Sequence, residues 1–195
     1  TNLPTTKQLI DGEEYYDSSS SFFSNFGSAF DASRCQIIKV ETKQTYQEPG
    51  NPSFEAMIDG NWDKAMSLLE ESRSVDLELY QTLTNRGVDF LRCRPISFPT
   101  TDYMRWEMEV YKYNSKHCER IFCCNIEAVD NLIDQYMLHD FMVFDSRVAF
   151  VHNYNSDGLN VGGWKISNLN KIIQLQSLFI FLKSQCQPFE MFLNA

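Results

Sequence analysis

The sequence predicts an α/β (α+β) fold in which helices accompany a mixed sheet. Three observations carry this. Apolar residues recur at helical spacing in some stretches, as in Phe22, Phe23, Phe26 and Phe30, and form short continuous runs in others, as in Phe141-Met142-Val143-Phe144. Helical and strand-like stretches interleave along the chain, the pattern of a layered α/β core. Two tight-turn signals, Asp145-Ser146-Arg147 and Asp157-Gly158, join neighbouring strands, so part of the sheet is antiparallel.

Taken in order, residues 1–21 are polar and acidic and end in Ser18-Ser19-Ser20-Ser21, which reads as a Ser-rich linker ahead of one α/β domain over residues 22–195. The four phenylalanines predict a short helix. Cys35 to Thr42 reads as a strand, and Glu48-Pro49-Gly50-Asn51-Pro52 as a turn. From Ser53 to Arg86 the spacing is helical in three pieces: around Phe54, Met57 and Ile58, around Trp62, Met66 and Leu69, and around Leu77, Tyr80 and Leu83. Gly87 ends the last one, because glycine takes the left-handed conformation without Cβ strain. Val88 to Phe98 predicts a strand. A helix follows from Asp102, with Thr100 or Thr101 as N-cap and Asp102 suiting the helix dipole. Arg120 to Asn125 is extended and Ile126 to Tyr136 helical. The strand pair around Asp145 comes next, then a strand from Leu159 to Ile166 across Gly162-Gly163, where two glycines mark a bulge or turn. The final helix, Leu169 to Cys186, is apolar beyond a single stripe, so it is buried deeply or against a partner, a homodimer among them.

With 43% hydrophobic and 14% aromatic residues, the 195-residue chain can bury a sizeable core, which excludes a disordered protein. A net charge of -9 opposes direct nucleic-acid binding, since phosphate contacts need clustered Lys and Arg. No basic-flanked apolar leader and no apolar run near the ~20 residues of a membrane span are present. The reading is a cytoplasmic protein without membrane contact. None of the six cysteines stands in a C-x-x-C pair. His117, Cys118 and Cys123 form at most a partial metal set, and free thiols in a reducing cytoplasm are the preferred reading.

Two constellations could carry chemistry. In Thr101-Asp102-Tyr103-Met104-Arg105-Trp106-Glu107, the pairs Asp102/Arg105 and Tyr103/Glu107 have the spacing to meet on one helix face. They either present a polar cluster to a cleft, with Arg105 gripping a carboxylate or phosphate, or pin the helix to the sheet by ion pairs. His152 could pair with Asp145 or Asp157 as a base, or be a satisfied structural residue at a strand end. The expected ligand-binding set is Tyr103, Arg105, Glu107, Asp145, Arg147 and His152, with no catalytic residue, metal or cofactor.

The segment from Leu138 to Asn155 resembles the phospholipase-D motif His-x-Lys-x-x-x-x-Asp with a trailing Gly-Ser-x-Asn. With Asp145 as its terminal Asp, Asn155 matches the trailing Asn, while Leu138 and Asp140 replace the nucleophilic His and phosphate-binding Lys. Leucine has no nucleophilic nitrogen and an aspartate repels phosphate. More broadly, three segments are similar to an uncharacterised bacterial family of short acidic proteins. These are Phe30 to Tyr46 (with Ser33, Ile38, Glu41 and Thr42), Thr101-Asp102-Tyr103-x-Arg105-x-Glu107, and Asp140-Phe141-x-x-Phe144-Asp145. The resemblance runs from about Phe26 to Phe189. It implies a degenerate phospholipase-D-like half and helix-turn-helix regulators as neighbours, with no catalytic residues to transfer. The expected function is a non-enzymatic, ligand- or protein-binding regulatory module. The alternatives are a phosphodiester hydrolase or nuclease using His152 with an acidic partner, and an acidic inhibitor or immunity-type protein.

Overall fold

Strand β2 (Gln36–Val40) lies at the centre of the sheet because its side chains suit two different layers. Ile38 and Val40 point to one face, Ile37 and Lys39 to the other, as the two-residue strand period requires. It pairs in parallel with β3 (Asp89–Ile96) and antiparallel with β5 (Phe141–Phe144). Beyond β3 come β4 (Glu119–Asn125), parallel, and β8 (Gln187–Pro188), antiparallel. Beyond β5 come β6 (Val148–Tyr154), β7 (Asn160–Ile166) and β1 (Glu14–Tyr16), all antiparallel. The eight strands run β1-β7-β6-β5-β2-β3-β4-β8 in this computed structural model, which describes residues 3–194. The expected mixed α/β architecture is therefore present.

Helix α7 (Leu169–Lys183) covers one face. It buries Ile172, Leu175, Leu178, Phe179 and Leu182 against Ile38, Val40, Leu91, Phe141 and Val143. The short helices α1 (Thr6–Ile10) and α6 (Asp130–Gln135) flank it. Leu169, Ile173, Ile180 and Phe181 remain exposed, so the apolar excess of this helix is a second, solvent-facing set of side chains.

The other face is shared by two groups of helices. Helix α2 (Ser19–Ala32) packs Phe22, Phe26 and Phe30 on Phe144 and Phe150. The ring of Phe26 lies 5.2 Å from Phe144 and 5.8 Å from Phe150, both edge-on, the geometry aromatic quadrupoles prefer. The fully buried rings of Phe22, Phe144 and Phe150 each contribute ~2–3 kcal/mol through apolar burial. On the far side sit α3 (Pro52–Ile58), α4 (Trp62–Asn85), α5 (Asp102–His117) and the four-residue α8 (Phe189–Phe192). Among the described residues, no helix is long and apolar enough to cross a membrane.

Two local readings change, and a third, the glycine bulge, is located. The Ser-rich run is no linker: Ser18 caps α2 by accepting from the Ser21 amide at 3.2 Å. The residues before it add α1 and the edge strand β1 to the same sheet, β1 pairing with β7 through Tyr16 opposite Gly163. The second and third helical pieces are one 24-residue helix, α4, whose polar middle faces solvent and so hides the continuity in an apolar pattern. The Gly162-Gly163 irregularity is a register shift between Asn153 and Tyr154, placed where a Cβ on Gly162 would sit 2.1 Å from the Tyr16 carbonyl oxygen.

Candidate functional site

Strand alternation puts Lys39 of β2, Arg92 and Arg94 of β3, Met142 of β5 and His152 of β6 on the face shared by α2 and α5. Lys39 lies opposite Arg92 on one side and opposite Met142 on the other. Neither helical group reaches across the middle of that face. A cleft of about 510 Å³ opens there. Phe23 and Phe26 of α2 form one wall, Tyr103 of α5 and the loop Tyr46–Pro49 the other, and Lys39, Glu41, His152 and Tyr154 the floor. Three tyrosine rings gather at one end: Tyr46 lies 5.5 Å from Tyr103 and 5.1 Å from Tyr154.

Beneath the floor is a buried ionic cluster. Arg92 binds Glu119 with two N–H donors, at 2.8 and 2.9 Å, and donates to Glu41 at 2.7 Å. Glu107 lies 3.5 Å from the same guanidinium. Arg94, wholly buried, donates to the Tyr111 hydroxyl at 3.1 Å and the Glu41 carbonyl at 3.2 Å, and its guanidinium lies 5.5 Å from the Tyr46 ring centre. Asp140 accepts from the Thr42 amide at 2.8 Å and from the Tyr46 hydroxyl. The Tyr103 hydroxyl donates to Glu48 at 2.7 Å.

Burial and charge set the protonation states. Burial would raise Glu41, but Lys39, Arg92 and Arg94 together hold it well below the usual carboxylate range. Glu107 goes the other way, to about 7, because burial and the charges of Glu48 and Glu41 outweigh the two arginines. Burial also raises Asp140. Burial, with Lys39 nearby, pushes His152 down to about 3, so its imidazole is neutral at physiological pH. Desolvating two guanidinium ions costs several kcal/mol each, and a buried ion-pair network of this kind seldom returns a net gain in stability. Strongly shifted groups bordering a cavity are a physical signature of function.

Of the six residues expected from sequence, Tyr103 and His152 line the cleft and Glu107 joins the cluster behind it. The other three lie elsewhere. Arg105, two positions from Tyr103 and therefore on the opposite side of α5, is exposed, paired with Asp102 at 3.1 Å and stacked over Trp62. Asp145 sits at the far end of β5, about 17 Å of strand away from Asp140. Its carboxylate accepts from the amides of Arg34, Cys35 and Gln36 at 2.7–2.9 Å. Arg147 is exposed and donates to Asp145 and to the Ala32 carbonyl. Sequence reasoning missed Arg92, Arg94, Glu41, Tyr46 and Glu48. The available signal was Phe90-Leu91-Arg92-Cys93-Arg94, two charges at strand spacing inside an apolar run. Among the described residues, no group of three or more His, Cys, Asp or Glu is placed to hold a metal, and all six cysteines are free.

Comparison with known proteins gives a sparse picture. No curated protein matches the chain. Solved structures do match, 37 chains among them. One is TrmBL2, an archaeal chromatin protein whose structure shows a novel mode of DNA binding. The likeness has a TM-score of 0.51 at 6% identity and covers 96% of this chain and 57% of that one, so it is a likeness of fold over little more than half of the other protein. A family described as "Domain of unknown function (DUF6879)" matches residues 24–194. That span takes in the buried ionic floor, the cleft apart from Ser19 and Phe23, and all but one edge strand of the sheet, and the chain belongs to this family.

Proposed function

We propose that this chain is a regulatory module that binds a small ligand in the cleft and carries out no chemistry on it. The observation that carries the reading is a cavity of about 510 Å³, within the range of small-molecule sites, standing on a buried and fully hydrogen-bonded ionic cluster. Cores do not need such a cluster for stability, whereas a fixed array of charges under a cavity orients a ligand.

The positions of the phospholipase-D-type pattern support the non-enzymatic side. Leu138 is buried among apolar residues, and Asp140 is bonded to Thr42 and Tyr46. Asp145 caps three backbone amides, and Asn155 bonds the amides of Asp157 and Leu159 in its own turn. His152 has Asn160 as its hydrogen-bond partner and aromatic rings packed about it, and among the described residues no carboxylate hydrogen-bonds to it as a base would need.

Ligand binding would be passed to a protein partner, such as a helix-turn-helix regulator of the kind the resemblance implies. The net charge of -9 argues against this chain gripping DNA itself, which is what TrmBL2 is described as doing. Six free thiols accord with a reducing cytoplasm.

The test is a metabolite screen by thermal shift on the wild type and two variants. Tyr103→Ala should abolish the stabilisation given by any hit, and Arg105→Ala should leave it intact. Turnover of a phosphodiester substrate that disappears in His152→Ala would overturn the proposal in favour of a hydrolase.

A further inference from the structure

The cleft carries a charge and wall chemistry that narrow its ligand. In the lining and floor, Glu41, Glu48, Glu119 and Asp140 stand beside Lys39, Arg92 and Arg94, with Glu107 held protonated behind them and Lys43 at the rim over Tyr154. The cations of the lining and floor are all engaged: Lys39 is held by Glu41 at 2.7 Å, Arg92 by Glu41 and Glu119, and Arg94 lies wholly buried under Tyr46. A ligand entering from solvent therefore meets no unengaged positive group among them. It does meet Glu48, which accepts neutral hydrogen bonds from Tyr103 and Asn51 and has no salt bridge among the described residues.

The walls point the same way. Aromatic faces in this part of the molecule already hold cations from the chain itself. Arg94 lies 5.5 Å from the Tyr46 ring centre, Arg92 4.9 Å from Tyr111, and Lys43 5.9 Å from Tyr154 where a second, smaller cavity opens. Ring faces are electron-rich, so an aromatic-walled, carboxylate-edged cavity attracts positive charge and repels anions.

Resting on the cleft being a ligand site, we infer that its ligand is an organic cation of the amine type, with its ammonium at the Tyr46–Tyr103–Tyr154 cluster beside Glu48. The apolar remainder of the molecule would lie toward Phe23 and Phe26. The protonated nitrogen would donate to Glu48 and gain attraction from the rings.

Isothermal titration with matched probes tests this: phenethylamine, spermidine and choline as cations, phenethyl alcohol as a neutral analogue, phenylacetate as an anion. The expected result is saturable one-to-one binding of at least one amine. The alcohol and the carboxylate should bind at least tenfold more weakly, and Glu48→Gln should weaken the amine about tenfold or more. Phe23→Ala, a change at a solvent-exposed wall residue, is the second variant and should also weaken binding while leaving the melting temperature within a few degrees. If the alcohol or carboxylate binds as well as the amines and Phe23→Ala weakens it, the ligand class is wrong and the cleft reading survives. If amines bind but neither variant changes the affinity, or if neither these probes nor a broad metabolite library binds, both the inference and the cleft reading fall.

Discussion

His152 and Glu107 have opposite protonation problems within one cluster. Burial holds the imidazole neutral far below its ordinary range, so its contribution to stability is present above about 6.5 and is lost as pH falls toward about 3. Burial and neighbouring carboxylates hold Glu107 protonated up to about 7, so its contribution is present below about 4.5 and is lost as pH rises through about 7. Between about 4.5 and 6.5 the two slopes oppose each other. Denaturant titrations across that window should show wild-type stability changing little. Glu107→Gln should become more stable with rising pH and His152→Gln less stable, each by ~2 kcal/mol over the window. Parallel slopes in all three proteins would remove this account of the cluster. Nitrogen-15 shifts of the His152 ring should meanwhile remain those of a neutral imidazole down to pH 4.

Asp145 presents a contrasting case, a charged residue whose partners are all local structure. Burial alone would raise its carboxyl, but the amides of Gln36, Arg34 and Cys35 and the charge of Arg147 hold it below its ordinary value. Those bonds tie the β5–β6 turn to the start of β2 and offset the left-handed backbone at Asp145 and Ser146. Asp145→Ala should therefore lower stability by ~2–3 kcal/mol, read from the denaturation midpoint, without altering ligand affinity. A residue can thus match a catalytic motif in sequence while doing the work of a cap.

At the scale of elements, the readings that matched share one property: their pattern is local. The Phe22/Phe26/Phe30 spacing, the Thr101 cap and the turn at Asp145 each depend on residues within a few positions of one another, and α2, α5 and the β5–β6 hairpin follow from them. Elements fixed by distant partners were invisible. Strand β1 is three residues long with two exposed, so it carries no alternation, and its existence depends on the bulged strand 150 residues later. The cleft was half legible for the same reason. Tyr103 and Glu107 are a helix i,i+4 pair and stand out, whereas Glu48 and Tyr46 lie in a loop and meet them only through the fold. Arg105 shows the limit of a contiguous motif: helical periodicity turns it away from its neighbours. One element-level prediction follows from β7. A Cβ at Gly162 would collide with the Tyr16 carbonyl oxygen, and φ there is +131°, so Gly162→Ala should cost at least ~3 kcal/mol or detach β1 altogether. Limited proteolysis at residues 11–18, rapid in the variant and slow in the wild type, distinguishes detachment from global loss.

Over the whole molecule, the sheet separates two tasks. The face under α7 is a dry apolar layer, and the face under α2 and α5 holds the cleft and its ions. The cleft therefore lies between the apolar clusters packed under α2 and under α5. The family match begins at residue 24, so β1 lies outside the shared portion although it occupies the flank of the sheet beside β7. Without it, the edge of β7 that β1 covers at Gly163, Trp164 and Lys165 would be open to water, a template for another copy of the same chain. A protein shortened to begin at Asp17 keeps all of α2 but loses α1 with its buried Leu9, so it should melt at a lower temperature and form soluble aggregates that grow with concentration in size-exclusion chromatography. The first sixteen residues would then act as a built-in safeguard against self-association.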